Sequence, residues 1–268
     1  MKTKIIITVL LASFSFNFCK AQQWVTIPDP NFVAWLKDIY GGGFAAEMNG
    51  NMLNVTSAKV QNCKSLYPDY ANISDLTGIQ YFGLLKTLYC PGNQLSSLPT
   101  LPASLKHFTC RNNQFTTLPT LPVDLISLDC SDNPLTNLST LPASLCTLVC
   151  DDNQLTSLPA LPASLERLYC NRNLLSSLPA LPDTLLYLIC DDNLLTTLPT
   201  LPASLCTLSC DDNQLTNLPV LPACLDFIRC NYNQLTSLPS LPFGLFTLHC
   251  ENNLLKKLTA TPQFFSET

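Results

Sequence analysis

Leu141-Pro-Ala-Ser-Leu145-Cys-Thr-Leu148-Val-Cys150-Asp-Asp-Asn153-Gln-Leu155-Thr-Ser-Leu158-Pro-Ala160 is the stretch that decides the fold. With small changes it recurs from Leu85 to Leu258. It leaves a column of cysteines every twenty residues (Cys90, Cys110, Cys130, Cys150, Cys170, Cys190, Cys210, Cys230 and Cys250). An asparagine follows each of them three residues later, from Asn93 to Asn253. A fixed period of this length marks a solenoid, in which each unit stacks on its own copy. Leu148 and Cys150 alternate with Thr147, Val149 and Asp151, the period of a strand with one buried face. Twenty residues on, the strand meets its copy, which predicts a parallel ladder with neighbours about 4.8 Å apart. A lone unit cannot bury enough apolar surface to offset its ordering entropy, so only stacking closes the gap. Pro159 and Pro162 forbid a helix on the return path and favour extended polyproline-II there.

The pattern LxxLxCxxNxL, carried by Leu145, Leu148, Cys150, Asn153 and Leu155, resembles the leucine-rich repeat, with cysteine at the second buried strand position. The LPxLP segment Leu158-Pro-Ala-Leu161-Pro162 resembles the short twenty-residue subclass of bacterial effectors. The resemblance implies a curved solenoid with its parallel sheet on the concave side. It also implies asparagine side chains turned inward onto the backbone. Ile27-Pro-Asp-Pro-Asn-Phe32 and Ile73-Ser-Asp-Leu-Thr-Gly-Ile79 resemble the amino-terminal region of secreted repeat proteins of the Bacteroidota type.

The organisation follows in order. Residues 1–21 read as an export signal: Lys2 and Lys4, an apolar run from Ile5 to Phe14, then Cys19-Lys-Ala21. That run is too short for a membrane span. A lipoprotein anchor on Cys19 is the rival, and Phe18 before it does not suit such a site. Residues 22–59 form a small helical cap, with Asp29 capping and Pro30 opening a helix whose Phe32, Trp35, Leu36, Ile39 and Tyr40 share a face. Gly41-Gly-Gly43 ends it; no strand precedes the glycines and no lysine follows them as in a phosphate loop. Residues 60–84 are a divergent first repeat, 85–258 the nine regular ones and 259–268 a tail in which Phe264 and Phe265 could fold over the last coil.

Composition narrows the chemistry. Without Lys2, Lys4 and Lys20, 11 basic residues of the 14 face 19 acidic ones, a net charge of −8. Such a chain argues against nucleic acid or an anionic membrane as partner. Fourteen cysteines in an exported protein suggest disulfides, but an odd column at strand spacing does not pair; buried packing is the expected role. Cys146 and Cys206 lie three units apart, and Cys63 and Cys224 have no evident partner. Cys150-Asp-Asp152 and its copies match the Cys-x-Asp of a ubiquitin ligase domain attached to some enteric effectors, but here the cysteine belongs to a strand. His107 and His249 are seven repeats apart. No nucleophile, acid–base pair or cofactor loop emerges, so the expectation is a non-enzymatic, monomeric binding scaffold.

Its concave face offers Tyr169, Tyr187, Phe227, Arg229 and Tyr232, residue types that anchor protein interfaces. A protein ligand is the first reading; a glycan stacked on the same aromatics, a host-directed effector and a structural spacer are the rivals. Asp191, Asp192, Asp211 and Asp212 fall on adjacent coils and repel unless a cation, calcium by preference, sits between them.

Overall fold

The computed structural model describes residues 22–256. The leader and the tail with Phe264 and Phe265 lie outside the described residues. Short strands β1 (Trp24–Thr26), β2 (Met48–Asn49) and β3 (Met52–Asn54) precede helix α2 (Ala58–Asn62) and strand β4 (Ser65–Leu66), with helix α1 (Pro30–Lys37) between β1 and β2. Nine strands follow at intervals of twenty residues. They are β5 (Thr87–Tyr89), β6 (His107–Thr109), β7 (Ser127–Asp129), β8 (Thr147–Val149) and β9 (Arg167–Tyr169). The series ends with β10 (Tyr187–Ile189), β11 (Thr207–Ser209), β12 (Phe227–Arg229) and β13 (Thr247–His249). β4 to β13 form one ten-stranded parallel sheet in chain order, with every strand residue paired to the one twenty positions on from β5 to β13. This is the curved solenoid, its sheet on the concave side. Between strands the return path of the array carries neither helix nor strand.

Three rows of leucine and the cysteine column fill the interior: Leu145, Leu148, Cys150 and Leu155 are all fully buried, as are their copies through most of the array. Because the strands are only three residues long, most backbone groups in each coil need partners outside the sheet. Coil-to-coil backbone bonds such as Asp152 N to Asn171 O and Gln154 N to Leu135 O supply some, and the asparagine column supplies four more in each coil. Asn153 Nδ2 donates to the carbonyls of Cys130 (3.1 Å), Cys150 (3.1 Å) and Asp151 (2.9 Å), and its Oδ1 accepts from Leu135 N (3.1 Å). Asn113 through Asn253 repeat this set. Asn93 does the same for the divergent first coil, taking the N–H groups of Ala71 and Ile73.

The thiols add a weaker row of bonds. Cys90, Cys150, Cys190, Cys210 and Cys230 each donate Sγ–H to the carbonyl nineteen residues on, at 3.3–3.4 Å. Burial pushes these thiols far above their ordinary pKa, and Cys230, less enclosed, up to about 12. They are neutral packing groups, and all thirteen cysteines of the described residues are free.

The cap departs from expectation in two places. Asp29 does cap α1, accepting from Asn31 N and Phe32 N, and its second oxygen ties Ser74 and Asp75 to the cap. But α1 ends at Lys37, and Ile39 and Tyr40 are exposed, outside the face assigned to them. Asp38 turns extended, and the chain doubles back so that Gly42 N bonds Trp35 O. A Cβ on Gly41 would lie 2.8 Å from that same oxygen, so the glycines serve a close approach. The cap also holds a three-stranded antiparallel sheet, order β1-β3-β2, that hydrophobic period alone did not reveal. Its hairpin turns at Gly50-Asn51, where Gly50 has φ 62°.

Asn173→Ala in mid-array removes four buried bonds and leaves the Leu155 N–H without its acceptor. We expect a loss of about 3 kcal/mol or more in urea unfolding, against roughly ±0.5 for exposed Gln154→Ala.

Candidate concave binding face

The first and third residues of each strand point away from the core. Along the sheet the first positions read Arg167, Tyr187, Thr207, Phe227 and Thr247, and the third Tyr169, Ile189, Ser209, Arg229 and His249. Tyr169 and Tyr187 therefore stand on adjacent strands β9 and β10. Phe227 and Arg229 stand on β12, separated from them by Thr207 and Ser209 of β11. The expected patch is brought onto one face, in two halves. Arg167 lies over the Tyr187 ring, 5.3 Å from its centre. Arg229 is already committed: its guanidinium is 2.6 Å from the Asp211 carboxylate, which is itself only 6 % exposed.

Tyr232 sits apart from the strands, in the loop residue that precedes the buried asparagine. In every regular coil this residue has a left-handed backbone, φ 49–65°. The positions are Gly92, Asn112, Asp132, Asp152, Arg172, Asp192, Asp212, Tyr232 and Asn252. Glycine, asparagine and aspartate tolerate that region; a long or bulky side chain strains in it. Arg172 and Tyr232 are the exceptions. Arg172 is held by a two-point pair to Asp152 (2.5 and 2.6 Å), whereas Tyr232 projects from the face, 57 % exposed. Strain kept at an exposed aromatic is a pointer to use.

The four aspartates expected around calcium do not converge. Asp191 and Asp211 belong to a second side-chain ladder along the loop edge that sequence reasoning missed. Asp151 Oδ1 accepts from Asn171 N (2.6 Å), and Asn171 Oδ1 from Asp191 N (2.8 Å). Asp191 Oδ1 then accepts from Asp211 N (2.8 Å), Asp211 Oδ1 from Asn231 N (2.7 Å) and Asn231 Oδ1 from Glu251 N (2.8 Å). Asp191 also takes the Ser209 hydroxyl (2.7 Å). The positive ends of backbone amides and Arg229 thus occupy the place expected for a cation. Asp192 and Asp212 are exposed on the left-handed position instead. Among the described residues no group of three or more His, Cys, Asp or Glu gathers as a ligand set.

Burial is the largest cause of raised carboxyl pKa values here. It pushes Asp151 up to about 6, helped by the charges of Asp152 and Asp129 and opposed by the Asn171 N–H and Arg172. Asp191 is raised for the same first reason.

No protein-family model and no curated protein matches the chain. Among solved structures, the repeat domain of a Shigella effector is 31 % identical, with 68 % of this chain and 84 % of that one covered and a TM-score of 0.53. The chain belongs to the leucine-rich repeat family. YopM from Yersinia enterocolitica is 33 % identical over 75 % of this chain, with a TM-score of 0.61; the match spans 58 % of YopM's length. The Drosophila Toll–Spätzle complex shares the fold at 22 % identity over 70 % of this chain, with a TM-score of 0.55.

A raised folded-state pKa means that protonation of Asp151 favours the native state: stability is gained as pH falls through about 6 and forfeited above it. Asp151→Asn keeps the acceptor oxygen, as Asn171 and Asn231 do in their coils. At pH 7.5 it should raise stability by roughly 1 kcal/mol, discounted for the partly open site. Thermal unfolding should show that gain shrink toward pH 4. Tyr232→Gly should stabilise by about 0.5–1 kcal/mol, by relieving the left-handed strain.

Proposed function

We propose that this protein is a secreted or surface-held, non-enzymatic scaffold that binds a protein partner through the concave face. The observation that carries the reading is a set of three outward aromatics on one sheet face. Tyr187 and Phe227 hold the first positions of β10 and β12 and Tyr169 the third position of β9, none of them needed to fill the core. Among the described residues every buried polar side-chain atom already has a hydrogen-bond partner, so the solenoid contributes rigidity and the outward positions contribute recognition. Rigid aromatics lose little side-chain entropy on contact, which is why they anchor interfaces. The Tyr232 strain supports the same face. The Shigella relative is described as an effector, which agrees with a role played through contacts. Export rests on the basic and apolar pattern of residues 1–21. A monomer is proposed.

The test compares mature protein starting at Gln22 with a Tyr169→Ala/Tyr187→Ala/Phe227→Ala variant of matched far-ultraviolet circular dichroism and Tm. Immobilised, the parent should retain a discrete protein partner, and the variant should bind it at least about tenfold more weakly. Equal retention by both would remove the concave face from the function. Retention only of oligosaccharides on a glycan array would replace the protein partner with a sugar.

A further inference from the structure

Beside the sheet runs a flank formed in each coil by the residues one before and one after a buried leucine. At the first of these positions the chain places Ser104, Asp124, Ser144, Ser164, Thr184, Ser204 and then Cys224. Wherever a hydroxyl stands there, it reaches back to the preceding coil. Ser144 Oγ meets Leu125 O at 2.8 Å, Ser164 Oγ meets Leu145 O at 2.8 Å, and Thr184 Oγ1 meets Leu165 O at 2.8 Å. The pairing of Phe227 with Thr207 keeps the same register one coil later, so Cys224 stacks over Ser204; at the equivalent two positions of an earlier pair of coils the side chains of Lys106 and Asp124 meet at 3.0 Å. Two residues after Ser204 stands Cys206. Its Sγ is folded back to the Ser204 carbonyl at 3.4 Å, toward the turn that Cys224 covers. The two coils are pinned at this point by the bond from Asp226 N to Cys206 O (3.0 Å).

Both sulfurs are free; Cys206 is partly exposed and Cys224 exposed, unlike the buried column from Cys90 to Cys230. They also sense each other: after burial, the charges of Asp226 and Cys224 raise the Cys206 thiol. Cys146 occupies the same flank position as Cys206, with its Sγ likewise against Ser144 O at 3.5 Å. Ser164 stands where a partner thiol would be, which makes Cys146 an internal control.

We propose that Cys206 and Cys224 form a covalent modification site, a dithiol that links two adjacent coils as a disulfide when it meets a low-molecular-weight disulfide. Cys224, the more open sulfur, attacks first as thiolate. The reagent's S–S bond breaks, a mixed disulfide forms on Cys224 and one small thiolate leaves. Cys206, having given up its proton to solvent, then attacks the Cys224 sulfur and expels the second small thiolate. Two electrons and two protons pass from the protein to the reagent, and the chain keeps one new S–S bond. The site lies off the concave face, so it locks coil against coil without altering the binding surface.

The full chain, incubated with oxidised glutathione at pH 8.5, tests this. Asp212 and Asp226 allow cleavage between and after the two cysteines. We expect an intramolecular link of Cys206 to Cys224, with a mass about 2 Da below the dithiol form. Cys146 should stay free or carry a single glutathione. Cys224→Ser should abolish the link and leave Cys206 behaving like Cys146. Ser164→Cys should create a second link, to Cys146. Recovery of Cys206 and Cys224 as separate glutathione adducts or as unreacted thiols would overturn the proposal. So would a link persisting in Cys224→Ser, or failure of Ser164→Cys to pair with Cys146.

Discussion

The amide side chain of the repeated asparagine is the interaction on which the structure depends. A coil of twenty residues with a three-residue strand cannot satisfy its own backbone, since the sheet ladder reaches only a few of its N–H and C=O groups. The turn after each strand buries carbonyls that water does not reach. One Nδ2 group answers three of them, in its own coil and in the coil before, and its Oδ1 takes an N–H from that earlier coil. Each asparagine is therefore both the cap of its own turn and a rivet to its neighbour. A leucine there would pack, but it would strand four polar groups in a low-dielectric interior.

Cysteine at the second inward position follows from the same economy. A leucine fills more space; a thiol is smaller and carries a weak donor. Cys150 turns that donor onto Tyr169 O, a carbonyl that already accepts the Cys150 N–H. The column stays neutral because ionisation inside the coil would place a charge among leucines, which the raised thiol pKa values express. A reactive reading of Cys150-Asp-Asp152 and its copies is set aside by the same burial. The sulfurs are inert where they are stacked, and chemistry is left to the flank, where Cys206 and Cys224 meet solvent.

The second ladder changes how the acidic residues are understood. As letters, Asp191, Asp192, Asp211 and Asp212 look like a ligand cluster. Folded, the two types of position separate. Asp191 and Asp211 turn in to receive amides of the following coil, and Asp192 and Asp212 turn out on a left-handed backbone. Relief of like-charge repulsion comes from fixed N–H dipoles and Arg229. That solution draws on groups twenty residues away, so no local motif announces it. The column at the left-handed position is legible in the sequence. Its run of glycine, asparagine and aspartate, broken only by Arg172 and Tyr232, is a backbone signal carried by residue type.

The sequence by itself determined the period, the parallel stacking and the buried rows of Leu148, Cys150 and Leu155. Each is repeated nine times, and a twenty-residue repeat has one register in which its apolar positions coincide. It also determined the Asp29 cap, since the capping oxygen and the N–H groups it serves lie within three residues. Only the tertiary structure decided where α1 stops, because the Gly42–Trp35 bond pulls the chain back before Ile39 and Tyr40 can join the helical face. Stacking likewise decided that Arg229 is held by Asp211, that the aromatic patch divides around Thr207 and Ser209, and that Asp151 joins a ladder with Asn171. Such pairings depend on which side chain stands one coil away. That neighbour is fixed by the fold's register and not by adjacency in the chain, so residue type alone could not assign it.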